Sequence, residues 1–503
     1  MQSSLHRQRD DRTMNRYPLD AMKRYLESKA SCACGAVLLA IAVFAVSCGS
    51  RDYGGMPQET QRPTVTIAAP ANFANGLAGQ LTFSADAADN VGVASVEFQV
   101  DAVAVGAALT SPPYTVSVDT NTYASGQHIL RVRASDAAGN QSPWASVTVN
   151  FGGSRTQPAG FSRNTYVTGL SAATAFAQAP DGRLFISQQG GAMRVVDSNG
   201  TLLTTPFMTL TVDSNGERGL LGVAFHPNFA ANQFVYAYYT VPGTSSHNRI
   251  SRFTANGDVL MAASELPLVD LPDLSGATNH NGGGMHFGVD GKLYVSVGEN
   301  ANGANSQNLN IPLGKLLRFN DDGTIPSDNP FCTTQGNLAC AVWAYGLRNP
   351  FTFAIQPGTG RIHINDVGQI TWEEINVGAA GANYGWPDSE GPDNVTGNVT
   401  GPLFAYGHTP AVPAGSGTGG FFNGCAIIGG AFYPPSGSFP APYRGSYFFA
   451  DFCTSFVARL DLANGNASYA FGAVPGNPVG MLVASDGALL VLIQSSVVRF
   501  TSP

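Results

Sequence analysis

The chain has 503 residues, a formal net charge of −8 and only 12% charged residues, about half the usual fraction of roughly 25%. An acidic balance without a basic run leaves no surface to neutralise phosphates and argues against a nucleic-acid partner. Glycine (59) and proline (31) are abundant, the composition of a turn-rich β protein whose length allows two to four domains.

Residues 1–48 read as a targeting region. Lys23, Arg24 and Lys29 precede the apolar run Ala36–Val46, which ends in Ala45-Val46-Ser47-Cys48. Eleven apolar residues are too few to cross a bilayer as a helix and suit a signal-peptide core. Small residues before Cys48 resemble the lipobox of bacterial lipoproteins. That resemblance implies lipidation at Cys48, a membrane partner through the anchor and a place in the cell envelope. Gly49 in the following position fits the outer membrane. A plain secretory signal with an incidental cysteine is the alternative. Residues 1–21 are polar and fit no signal, which leaves Met22 as an alternative start.

In an oxidising compartment, Cys332, Cys340, Cys425 and Cys453 form an even set. We pair Cys332 with Cys340 as a loop staple and Cys425 with Cys453 across neighbouring strands; other pairings stay open. No CxxC spacing points to zinc.

Residues 49–61 are a polar tether. Residues 62–152 hold short alternating strands: TVTI, LTFSADA, VASVEFQV, YTVSV, HILRVRASD and ASVTVNF. About seven strands over some ninety residues predict an immunoglobulin-like sandwich. The stretches ADNVGVASVEFQVD and HILRVRASDAAGNQS resemble bacterial Ig-like modules, which implies a spacer; no catalytic grouping occurs in it.

A linker at 153–160 precedes a different pattern over 161–503. PDGRLFIS, HPNFAANQFVYAYY, VDGKLYVSV, QPGTGRIHIND, FPAPYRGSYFFAD and SDGALLVLI echo one another. Each is a turn followed by an apolar strand. Six echoes predict six sheets around an axis, so the fold class is all-β, a six-bladed β-propeller behind an Ig-like sandwich. Edges are best removed by closing the ring, so NTYVTG at 164–169 is expected to pair with the last sheet near 488–500.

A propeller brings distant loops together at one end of its channel. The loops with chemistry hold Glu217 and Arg218, His280 and Glu299, Arg348 and Asn349, and Asp366, Glu373, Glu374 and Tyr384. His280 precedes three glycines, an arrangement expected to let a flat ligand approach the ring.

GERGLLGVAFHPNF, HNGGGMHFGVDGKLYVSVGE, GKLLRFNDDGTIPSDNPF, YGLRNPFTFAI and EEINVGAAGANYGW follow one another as in soluble PQQ-dependent sugar dehydrogenases, the glucose/sorbosone dehydrogenase family. The resemblance covers roughly residues 160–500. It implies a quinoprotein oxidoreductase that oxidises an aldose or related sugar by hydride transfer to PQQ, with Ca2+ and an unidentified electron acceptor. By position His280 is the base and Glu299 orients it. Glu217 contacts substrate, while Arg348 and Asn349 contact the quinone, the arginine stabilising developing charge. An arginine bracing its loop through carbonyls is the alternative for Arg348, and Arg218 reads as a surface or loop-bracing arginine. Backbone carbonyls of Gly368 and Gln369 fall where the family holds cofactor-bound Ca2+, and the Glu374 carboxylate with the Tyr384 carbonyl where it holds a second.

The pattern departs in one place. Cationic residues that clamp the cofactor carboxylates in glucose-oxidising members correspond to Cys453, Asn477 and Val479, with Arg444 or Arg459 as candidate substitutes. The rival reading is a non-catalytic carbohydrate- or protein-binding propeller without PQQ, like the related Hedgehog-interacting proteins. A glycan hydrolase using Glu217 and Glu299 has no further motif behind it.

Overall fold

The computed structural model describes residues 59–502, apart from 73, 78–79, 121–122, 124–125, 152–156, 159, 333–336 and 409–422. The targeting region, Cys48 and most of the tether lie outside the described residues. Regular structure is almost wholly β. Among the described residues no helix is long and apolar enough to cross a membrane.

Residues 64–151 form two sheets. One has three strands, Thr64–Ala69, Gln80–Ala88 and Tyr114–Asp119; the other has five and is built around Val93–Val100, Gly126–Asp136 and Ala145–Phe151. Alternation puts Phe83, Val96, Phe98, Leu130 and Val132 into one shared core. Two strands escaped the sequence reading, Ala74–Leu77 and Val103–Ala104. Both are short and neither alternates.

Residues 162–501 form six antiparallel sheets in succession. Their first strands are Ala173–Gln178, Leu220–Phe225, Met285–Phe287, Pro350–Ile355, Ile427–Phe432 and Pro478–Val483. These contact one another in cyclic order, the last against the first. All six echoes fall on the second strand of a sheet: Leu184–Gln188, Phe234–Val241, Leu293–Val297, Ile362–Asp366, Tyr447–Asp451 and Leu489–Ile493. Five of the six are buried along their whole length and Phe234–Val241 at all but its ends, as strands covered on both faces must be.

Six apolar layers lie between neighbouring sheets, including one between the sixth and the first that joins Leu490 and Leu492 to Leu184 and Ile186. The sixth sheet is completed by Ser162–Thr168, which pairs antiparallel with Ser496–Thr501. Both disulfides form as paired from the sequence, Cys332–Cys340 with Cα atoms 4.1 Å apart and Cys425–Cys453 at 5.8 Å.

In five sheets the register between first and second strand shifts near the start of the first strand, across Ala173/Ala175, Leu220/Gly222, Pro350/Thr352, Ile428/Ala431 and Pro478/Gly480. A bulge leaves one residue out of the ladder and re-aims its side chain. That displacement builds the site.

Candidate active site

The displaced residues Thr174, Leu221, Phe351 and Val479 all line one cavity of about 230 Å³. Four sheets thus each contribute a bulge side chain to its wall. Gln189, Glu217, Asn349 and Gln494 add polar groups, and Val367, Ile428 and Phe452 close the rest with apolar surface. Below it, residues from all six first strands line a narrow channel that includes Gly283, His286, Gly430 and Met481.

His280 stands beside this cavity on the loop leading into the third sheet. Its Nδ1 lies 2.7 Å from Glu299 Oε1, and both side chains are buried. A carboxylate there fixes the ring orientation and holds the proton on Nδ1, which leaves Nε2 as the basic nitrogen. The backbone of His280 is left-handed, with φ 58°, a conformation costly for a side chain of this size. Glu217 holds it there: its Oε2 accepts the His280 amide at 2.7 Å, while the Glu217 amide donates to Thr278 O at 2.9 Å. The base is therefore gripped at its ring by one carboxylate and at its backbone by another.

The glycines after His280 serve a different purpose from the one expected. A Cβ at Gly282 would lie 2.5 Å from Ser296 O, and one at Gly283 would lie 2.9 Å from Leu221 Cβ. They let the loop lie flat on its own sheet and on its neighbour; approach by a ligand is not what demands them.

Arg348 and Asn349 sit at the entry to the fourth sheet, and their amides donate to the two oxygens of Asp366 at 2.9 and 2.8 Å. Asn349 Oδ1 accepts the Gly282 amide at 3.2 Å, and the Glu299 amide donates to Arg348 O at 2.9 Å. The His280, Glu299 and Arg348 loops are thus one bonded unit. Arg348 Nη1 donates to Val367 O at 3.0 Å and Gly368 O at 2.6 Å, so it braces its loop through carbonyls. Its Nε and the indole Nε1 of Trp386 are buried without a partner, and the guanidinium lies 5.5 Å from the Trp386 ring. Two adjacent orphaned donors suit an acceptor oxygen on a ligand.

Arg218 braces, as expected, with Nη1 on Asp213 at 2.7 Å and Nη2 on the carbonyls of Ser275 and Ala277. The proposed calcium donors are less free than the sequence implied. Gly368 O accepts from Arg348 Nη1, while at Gln369 it is the amide, with those of Ile370, Thr371 and Trp372, that is bonded, to Glu390 Oε1, and not the carbonyl. Glu374 accepts from the Gly391 amide and from Asn376 Nδ2. Burial first, then the nearby Asp366 charge, pushes its carboxyl up to about 8. No cluster of three or more His, Cys, Asp or Glu side chains suited to a metal occurs among the described residues. Tyr384 is buried and held by its amide on Tyr345 O and its hydroxyl on Val377 O, neither of which is the carbonyl the resemblance points to.

For the three carboxylates of PQQ the cavity is poorly matched. Among the described residues no lysine or arginine lines it. Cys453 is in a disulfide, Val479 is wall, and Asn477 Nδ2 donates to Phe452 O. Neither candidate substitute reaches it: Arg444 Nε binds Phe439 O, and Arg459 Nη1 binds Ser446 with its guanidinium over Tyr443 and Tyr469. The residues present fit a quinone edge at Arg348, Asn349 and Trp386 and do not fit the carboxylate end.

Sequence reasoning missed Trp386, Glu390 and Lys315. The first lay inside a quoted motif without being assigned; a lysine inside the apolar strand KLLRF was itself a signal of a buried, bonded cation.

Residues 170–498, well over half of the chain, match the Glucose / Sorbosone dehydrogenase family, and residues 63–132 match a Bacterial Ig domain. The chain belongs to the glucose/sorbosone dehydrogenase family. This family member is 34% identical over 224 residues to Aldose sugar dehydrogenase YliI of Escherichia coli, covering 42% of this chain and 58% of that protein. It is 28% identical over 346 residues to the HIPL2 protein of Arabidopsis thaliana, covering 54% and 48%. Among solved structures it resembles the PQQ-bound aldose sugar dehydrogenase of Streptomyces coelicolor, with TM-score 0.56 and 25% identity over 69% of this chain and all of that one. The chain spans about half the length of the curated relatives it matches.

Proposed function

We propose that this family member is a sugar oxidoreductase of the cell envelope, a six-bladed propeller behind an Ig-like spacer, in which His280 takes the proton from a sugar hydroxyl. The observation that carries the reading is the His280–Glu299 contact of 2.7 Å beside the cavity. Family membership and the likeness to aldose sugar dehydrogenases support the substrate class.

Oxidation of an aldose at C1 removes a hydroxyl proton and a hydride. His280 Nε2 receives the proton, and Glu299 stabilises the imidazolium that results. Glu217 and Asn349 keep the loop in place while this happens. PQQ, when bound, supplies the two-electron acceptor; Arg348, Asn349 and Trp386 would hold its quinone edge. Ca2+ at the Gly368–Gln369 carbonyls, and at Glu374 and Tyr384, belongs to the same reading and rests on the family resemblance. Because no lysine or arginine among the described residues lines the cavity, PQQ is expected to bind weakly, since unpaired buried carboxylates are costly.

His280→Asn tests the base. Asparagine tolerates φ near 58°, so the loop stays while the base is lost. With PQQ, Ca2+ and a dye acceptor, kcat should fall roughly 100-fold or more with an unchanged melting temperature, and Glu299→Gln should give a smaller, parallel loss. Full activity in His280→Asn would sink the assignment. The missing cations specifically favour the second reading, a non-catalytic binding propeller. PQQ failing to bind at millimolar concentration with excess Ca2+ would select it.

Envelope attachment rests on the sequence alone. Cys48→Ala should move the protein from the membrane to the soluble periplasmic fraction; persistence in the membrane would count against lipidation.

A further inference from the structure

Glu217 is the only charged side chain that lines the cavity among the described residues. Its Oε2 is committed to the His280 amide, while Oε1 has no protein partner among the described residues and the side chain is exposed. The wall around it is largely apolar. The stretch TPAVPAGSGTGGFF at 409–422 carries no charged residue, so it can add no cation anywhere. Among the described residues the cavity wall therefore carries one charge, a carboxylate, on the residue that bonds the loop of the base. A site walled by low-dielectric surface and bearing one sign of charge concentrates ligands of the other sign.

We propose that the substrate class is amino sugars, aldoses bearing a protonated amine next to the oxidised carbon, with Glu217 as the residue that selects them. This rests on the cavity being the sugar site. The His280 amide and the ring belong to one residue, so the carboxylate bonded to that amide is tied to the loop that carries the base. An ammonium on the neighbouring carbon meets Oε1 while C1 meets the base. A neutral aldose in the same pose leaves the carboxylate without a cationic partner. An N-acetylated sugar adds bulk without charge.

Equilibrium binding on the full chain, without cofactor, separates the outcomes. Glucosamine, glucose and N-acetylglucosamine are titrated by calorimetry at pH 6.5 and low salt. Glucosamine should bind about tenfold more tightly than glucose, a difference of about 1.4 kcal/mol, and the advantage should shrink in high salt. Glu217→Gln keeps an oxygen for the His280 amide and removes the charge. It should bring glucosamine down to the level of glucose with an unchanged melting temperature. Equal binding of glucosamine and glucose by the wild type overturns the proposal and leaves the sugar site standing. A preference that survives in Glu217→Gln overturns the role of Glu217. Binding of none of the three overturns both the proposal and the sugar-site reading.

Discussion

His363 is fully buried on the second strand of the fourth sheet, and neither ring nitrogen has a partner. Its ring packs between Phe432 at 4.7 Å and Tyr447 at 4.6 Å. Burial first, and Arg361 second, drive its pKa from 6.5 down to about 3. The folded protein refuses a proton that the unfolded chain takes up below about pH 6.5, so stability falls as pH drops from there towards about 3. His363→Phe should remove this component. Urea unfolding at stepped pH should show the wild type losing up to about 1.4 kcal/mol per pH unit more than the variant below pH 6. Parallel slopes would mean the ring finds a partner when protonated. At this scale the sequence was partly legible. It paired His280 with Glu299 through the resemblance, but gave Glu217 to the substrate alone, because a backbone amide leaves no mark in a string of side chains.

Among the elements, the short helix Ala304–Gln307 depends on a strand residue. Lys315 Nζ donates to Asn305 O at 2.7 Å, Ser306 O at 2.9 Å and Leu313 O at 2.7 Å, and burial lowers its pKa to about 7. The same turn grips the orienting acid: Asn302 donates its amide to Glu299 Oε2, and Asn305 Nδ2 donates to Glu299 O at 3.0 Å. Lys315→Met keeps the length and removes one donor from each carbonyl; Asn305 O and Ser306 O keep the amides of Asn308 and Gly346, while Leu313 O, left buried and unpaired, costs about 1–3 kcal/mol. Hydrogen exchange should accelerate over 302–308, and activity should drop several-fold. Unchanged exchange there would show that the turn holds itself. The elements also explain why the echoes marked second strands and never first ones. First strands crowd the axis and carry glycine where a side chain would collide; a Cβ at Gly222 would sit 2.3 Å from Gly283 O. LLGVAF, IIGGAF and PVGMLV therefore lack the clean β-former run that made LYVSV and LLVLI easy to see.

For the whole molecule, the sixth sheet joins the two ends of the family domain. Ser162–Thr168 is made early and its partner Ser496–Thr501 more than three hundred residues later. At roughly 5–20 residues per second, the early strand waits something like 15 to 65 seconds for a neighbour. An unpaired strand in that interval is a template for the wrong partner. The segment that waits is SRNTYVT, mostly exposed even when paired, whereas the strand at the heart of its sheet is LLVLI. The longest wait for a strand neighbour in this domain thus falls on a polar segment that can stand in water meanwhile.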